Sequence, residues 1–297
     1  MEKTAYAGWP NCLRLSNKDI ECVVTTDVGP RIIRLGFKGS QNLFAELEGR
    51  GETKGPVWKS YGGHRLWHAP EHPVRTYYPD NDPVPYEWKD GTLLLRPSIE
   101  TTTGIAKEIE IFLDPERNRI RVTHRLRNDG LWPVTLSVWC LSVMAKGGFA
   151  VIPQEDYRGH GPDALLPVRS MALWSYSDMG DPRWTWGSDY ILLRQDPAAR
   201  TPLKAGWLNR KGWAAYALGG EVFLKRFAFD PGAVYPDFNT NTQFFTNAEI
   251  LEVETLSPLI RLEPDRSIDH VEEWSLHRVK LEPDQASLRK VLPGLTD

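Results

Sequence analysis

An all-β fold of packed antiparallel sheets is what this sequence predicts. Three observations carry it: short apolar or alternating runs, turn residues between them, and almost no helical periodicity. Asp19–Thr25, Arg31–Phe37 and Thr92–Arg96 are the first such runs, bounded by Gly, Pro, Asn or Asp. Ile105–Phe112 is followed by a turn cluster at 114–118. Arg119–Arg127 then alternates, with Ile120, Val122, His124 and Leu126 on one face. That pair reads as an antiparallel hairpin with one solvated face. Asn128-Asp129-Gly130 marks a turn, and Val134–Met144 reads as a longer buried strand. Further strands are expected at Tyr190–Leu193, Gly212–Ala217, Glu221–Phe227, Phe244–Thr246, Ile250–Leu256 and His270–Val279. One short helix is expected near 284–292, where Asp284 caps the first turn.

This pattern suits a sandwich or barrel rather than a parallel α/β sheet. No linker, repeat or low-complexity tract divides the chain, so residues 1–297 read as one domain. Residues 154–189, rich in Pro and Trp, read as a long irregular excursion of the kind that carries function.

Composition excludes several function classes. A net charge of −3 argues against nucleic-acid binding through phosphates. No apolar run approaches the ~20 residues that span a bilayer, so no membrane association is expected. The N-terminus lacks the basic and apolar regions of a secretory signal. Cys12, Cys22 and Cys140 are odd in number and form no C-x-x-C pair, which predicts neither disulfides nor structural zinc. A cytoplasmic setting follows as the expectation. The 12 Trp are many for 297 residues, and such rings pack cores or stack on amphipathic ligands.

Two segments concentrate chemistry. Leu251–Thr255 alternates apolar and acidic residues, so on a strand Glu252 and Glu254 share one face. Glutamate is a poor strand former and rarely buries unpaired, so this face needs solvent, a cation or a function. The second segment, 61–73, holds Gly62, Gly63, His64, Arg65, Trp67, His68, Glu71 and His72. The glycines suit close approach to a ligand. Arg65 offers a planar fork to oxygen pairs, Trp67 a stacking face, and the histidines proton transfer near neutral pH. The spacing of His64, His68 and His72 would align them on a metal-binding helix, but the glycines, Pro70 and Pro73 oppose that helix, so no metal is expected. His160, in the excursion, and Asp237, in Tyr235-Pro236-Asp237-Phe238, are further ligand candidates. His124, on an apolar face, reads as a satisfied core histidine. G-x-S-x-G, Walker, dinucleotide and H-E-x-x-H motifs are absent.

The run Gly62–Glu71, the run Phe244–Leu259, and the ending at 262–275 resemble a family of galactose-mutarotase-like proteins, over about Lys18 to Leu276. The resemblance implies a β-supersandwich, large antiparallel sheets face to face with a sugar site on a concave face. In aldose 1-epimerases of that superfamily a late glutamate is the base and a histidine the acid. Glu254 is the best match to the base and Glu252 the second. The strand after the 128–134 turn normally delivers the histidine, but Val138–Val143 contains none.

His64, or failing it His68, is therefore expected to serve as acid. Glu254 would take the anomeric proton while His64 protonates the ring oxygen. Arg65, Trp67, His68, Glu71, Glu252, Asp237 and His160 would form the binding set. The expected ligand is a small sugar or oligosaccharide, and the chemistry requires no cofactor. Two alternatives are a non-catalytic sugar-binding or sensing protein, and a glycoside hydrolase or polysaccharide lyase on the same scaffold.

Overall fold

The structure, a computed structural model, describes residues 1–296. Apart from a few short helical turns it is built of strands in two antiparallel sheets. Across the first sheet lie Glu2–Tyr6, Trp9–Ser16, Ile20–Thr25, Arg31–Phe37, Gly63–Ala69, Val134–Met144, Leu251–Leu256, Thr242–Thr246, Leu203–Trp207 and Met171–Leu173, in that order. Ile260–Leu262 also pairs with Val134–Met144. Across the second lie Trp184–Thr185, Tyr190–Arg194, Phe149–Pro153, Trp213–Leu218, Glu221–Phe227, Ser267–Arg278, Arg119–Asn128, Ile105–Leu113, Thr92–Leu95 and Tyr86–Lys89. No helix among the described residues is long and apolar enough to cross a membrane.

The main core lies between the sheets, where strands of both contribute every second residue: Leu66, Val138, Val253, Val122 and Trp274 are examples. The outer face of the second sheet is covered by the helix Gln285–Val291, which seats Leu288 against Leu224 and Val222. Its cap is the expected one, with Asp284 accepting from the Ser287 amide at 2.9 Å. The expected hairpin is also present, pairing Ile105–Leu113 with Arg119–Asn128.

The largest departure from expectation is Gly63–Ala69. Read in sequence as a turn-rich binding segment, it forms a fully buried strand near the centre of the first sheet. The two glycines make this possible. Both have positive φ, and a Cβ would stand 2.0 Å from the Ala45 carbonyl oxygen at Gly62 and 2.3 Å from that of Ile32 at Gly63. The close approach they permit is to neighbouring backbone, not to a ligand. The 154–189 excursion is less irregular than expected, since Met171–Leu173 forms an edge strand of the first sheet.

Candidate active site

Register places the carboxylates. Leu251 and Val253 enter the inter-sheet core, so Glu252 and Glu254 project from the outer face of the first sheet. One cross-strand row reads Arg65, Leu141, Glu254, Gln243; the next reads Trp67, Trp139, Leu256. Residues in such a row point the same way. The period-two reading of Glu252 and Glu254 therefore holds, and both are buried.

Glu254 is fully enclosed. Its Oε2 accepts from the Trp139 indole at 2.7 Å and the Lys204 ammonium at 3.2 Å, while Oε1 has no partner. Burial raises its pKa above the ordinary carboxylate value; Lys204 pulls it back and Glu252 adds to the rise. Lys204 sits over the rings of Trp139 (4.7 Å) and Trp174 (4.8 Å). Arg65 donates from Nη2 to Glu252 at 2.9 Å and lies 4.4 Å over Trp67, yet Nε and Nη1 have no acceptor. Gln243 donates to Asp237 at 2.7 Å and leaves its Oε1 unpartnered.

Aromatic rings wall this face. Trp67 packs at 5.1 Å from Trp58, 5.2 Å from Tyr77 and 5.3 Å from Trp139. Tyr77 donates to Glu71, tying that expected ligand residue to the rim. Burial raises the Tyr176 phenol, and Glu254, Glu71 and Glu252 add to the rise. Of the residues named from sequence, Glu252, Glu254, Arg65 and Trp67 share this face, with Asp237 and Glu71 bonded to its margin.

His64 and His68 do not share it, because neighbours of Arg65 and Trp67 on a strand point the opposite way. The His64 ring is buried between the sheets, 2.9 Å from Ser142 Oγ at Nδ1 and 2.7 Å from His124 Nε2 at Nε2. His124 Nδ1 faces the His270 carbonyl at 3.1 Å and must hold a proton to donate. His124 Nε2 then accepts, His64 Nε2 donates, and Ser142 donates to His64 Nδ1. Burial pushes the His64 pKa well below its usual value, and the nearby Lys225 charge pushes it further. Buried between the sheets and turned away from Glu254, His64 is not placed to act as its acid partner, which corrects the expectation. His68 Nε2 lies 3.7 Å from Glu100 instead. His160 is exposed and has no hydrogen bond among the described residues.

Behind the Glu254 strand, Glu272 accepts from the Trp274 indole at 2.8 Å, from Lys225 at 3.0 Å and from Thr255. Lys225 also donates to the Val253 carbonyl at 3.2 Å. The ligand atoms of His64, His124 and Glu272 lie within 4.8 Å of one another, as do those of Cys140, His270 and Glu272. The Lys225 ammonium already supplies the cation this carboxylate needs, so the set fits a bonded polar core better than a metal centre.

No protein-family model matches the chain, and no curated protein matches it in sequence. Solved structures do match in shape. A candidate aldose 1-epimerase from Klebsiella pneumoniae aligns over 98% of this chain and 85% of its own, at 13% identity and TM-score 0.60. One from Escherichia coli aligns over 91% and 99%, at 12% identity and TM-score 0.54. A galactose mutarotase-like protein from Lactobacillus casei aligns over 90% and 100%, at 10% identity and TM-score 0.52. The fold is galactose-mutarotase-like. At such identities the likeness extends to the fold alone.

Sequence reasoning missed Lys204, Trp139, Gln243 and Tyr176. Lys204 had no local signal, being brought to Glu254 through the pairing of Leu203–Trp207 with Thr242–Thr246. Trp139 did carry one: an indole N–H inside an otherwise apolar strand needs an acceptor when buried.

Proposed function

We propose that the outer face of the first sheet binds a neutral sugar and interconverts its anomers, with Glu254 as base. The observation that carries this reading is the set of unpartnered polar atoms along one buried, aromatic-walled face. Glu254 Oε1 and Gln243 Oε1 lack donors, while Arg65 Nε and Nη1 lack acceptors. Buried polar groups left unmatched are costly, so a ligand that supplies both donors and acceptors is favoured. Vicinal hydroxyls do both, and sugar C–H faces suit indole rings. The charges on this face pair off as Arg65–Glu252 and Lys204–Glu254, which favours an uncharged ligand.

Glu254 takes the proton of the anomeric hydroxyl, and the ring C–O bond breaks to give the open aldehyde. Lys204, the proton donor bonded to Glu254, replaces His64 as acid and protonates the ring oxygen. Reclosure on the other face of the carbonyl reverses both transfers, leaving enzyme and proton count unchanged. Each positioned group contributes about 10²–10⁴-fold to such a step. Burial that raises the base toward the operating pH favours this chemistry. The three cysteines are free and buried, which supports a reducing, cytoplasmic setting.

Exchange NMR on glucose and galactose tests the assignment. Glu254→Gln and Lys204→Met should each reduce anomer exchange by about 10²-fold or more. Unchanged exchange in Glu254→Gln would remove the base. A second reading, sugar binding without turnover, is favoured by the ion pairs that already engage both carboxylates. It predicts saturable binding with no exchange above buffer.

A further inference from the structure

The turn Pro236–Asn239 is strained in a way its own sequence does not require. Asp237, Phe238 and Asn239 have φ of 51°, 59° and 68°, three consecutive non-glycine residues in the left-handed region. An aromatic residue there is an outlier, and such strain persists only where surroundings hold it. Here they do. The Tyr235 amide donates to Asn239 Oδ1 at 2.8 Å, the Thr240 amide donates to the Pro236 carbonyl at 2.9 Å, and Gln243 clamps Asp237 at 2.7 Å. The result is unusual: Phe238 stands 90% exposed at the tip of a rigid turn.

That turn is continuous with the site. Gln243, which holds Asp237, is the cross-strand partner of Glu254 on the same face. Cβ atoms of such a pair lie about 5 Å apart, so the turn begins one side chain beyond the carboxylate. Thr240, at the end of the turn, packs on Gly206, the residue that pairs with Gln243 on its other side; a Cβ at Gly206 would meet Thr240 at 2.9 Å. The turn also packs beside Met171–Leu173, the edge strand that leads into Trp174 over Lys204. Strain, clamp and exposed ring thus sit together on one margin of the candidate site.

We propose that Phe238 is the platform of a second saccharide subsite, so that the site takes the reducing end of an oligosaccharide rather than a free monosaccharide. This rests on the sugar-binding reading above. The first ring would meet Arg65, Gln243 and Glu254. The second would extend from the aromatic-walled face across Asp237, whose carboxylate accepts a hydroxyl, and lay its C–H face on Phe238. The clamp matters because it fixes the backbone that carries the ring, so only the side-chain rotamer remains to be ordered on binding.

Affinities of wild type, Phe238→Ala and Phe238→Trp for glucose, cellobiose and maltose, measured by titration NMR, test this. Wild type should bind at least one disaccharide more tightly than glucose. Phe238→Ala should weaken that disaccharide about 3- to 10-fold, the range of one aromatic contact, leave glucose unchanged, and be rescued by Phe238→Trp. Equal affinities for glucose and both disaccharides, or a Phe238→Ala change shared by all three sugars, would overturn the subsite while leaving the sugar site standing. No binding of any sugar to wild type would overturn both readings. A change of oligomeric state in Phe238→Ala with disaccharide affinity intact would assign the ring to self-association and overturn the subsite.

Discussion

The two faces of the first sheet are built from the same strands and reach opposite ends. Behind the inner face, His64 bonds Ser142 and the second sheet's His124, and the second sheet's Lys225 bonds Glu272 and reaches across to the Val253 carbonyl. On the outer face, one residue away along each strand, Arg65, Glu254 and Gln243 keep polar atoms without partners although they too are buried. A buried polar group closed on itself stabilises one arrangement, whereas one left open favours whatever completes it. Residue type does not separate the Glu254 cluster from the His64–Glu272 cluster, since each holds a cation–carboxylate pair. Partnering separates these two clusters, although His68 Nε2, also turned inward, has no partner.

If the polar cluster behind the inner face is structural, breaking it should cost stability more than anything else near the site. Lys225→Met leaves Glu272 buried and unpaired, and a loss of about 3–5 kcal/mol is expected in urea unfolding. Loss below about 1 kcal/mol would show that Thr255 and Trp274 already satisfy the carboxylate.

Acid should act on the same cluster, with a smaller effect. Burial lowers the pKa of His64 and His124, and brings His270 from 6.5 to about 4, although Glu272 opposes the fall. The folded state therefore binds these protons less readily than the unfolded chain. Their stabilisation is fully present above pH 6.5 and is lost as pH falls from there through about 4. Glu254 runs the other way: its raised pKa adds stability at low pH that is lost as pH rises through the folded value. Urea midpoints should fall between pH 7 and pH 4; a flat profile would mean that the histidines are not held neutral.

The comparison also explains what could be read in advance. The all-β class, the Arg119–Asn128 hairpin, the Asp284 cap and the shared face of Glu252 and Glu254 all follow from local period and turn chemistry. The face of His64 did not. Gly62 and Gly63, both at positive φ, break the backbone period just before the strand, and Pro70 and Pro73 obscure its end. With the phase hidden, His64 and Arg65 looked like partners when alternation makes them opposites. Lys204 was beyond local reading altogether, because only long-range pairing of strands sets it against Glu254.

The proposed sugar chemistry belongs to the outer face and not to the inner one. Anomer exchange measured by NMR on wild type, Glu254→Gln and His64→Gln tests it most directly, with urea unfolding of the same three proteins beside it. Exchange at the buffer rate is expected in Glu254→Gln. For His64→Gln near-wild-type exchange is expected with about 1–3 kcal/mol less stability, the cost of a disturbed buried hydrogen-bond pair. Exchange abolished in folded His64→Gln and retained in Glu254→Gln would contradict this assignment to the outer face.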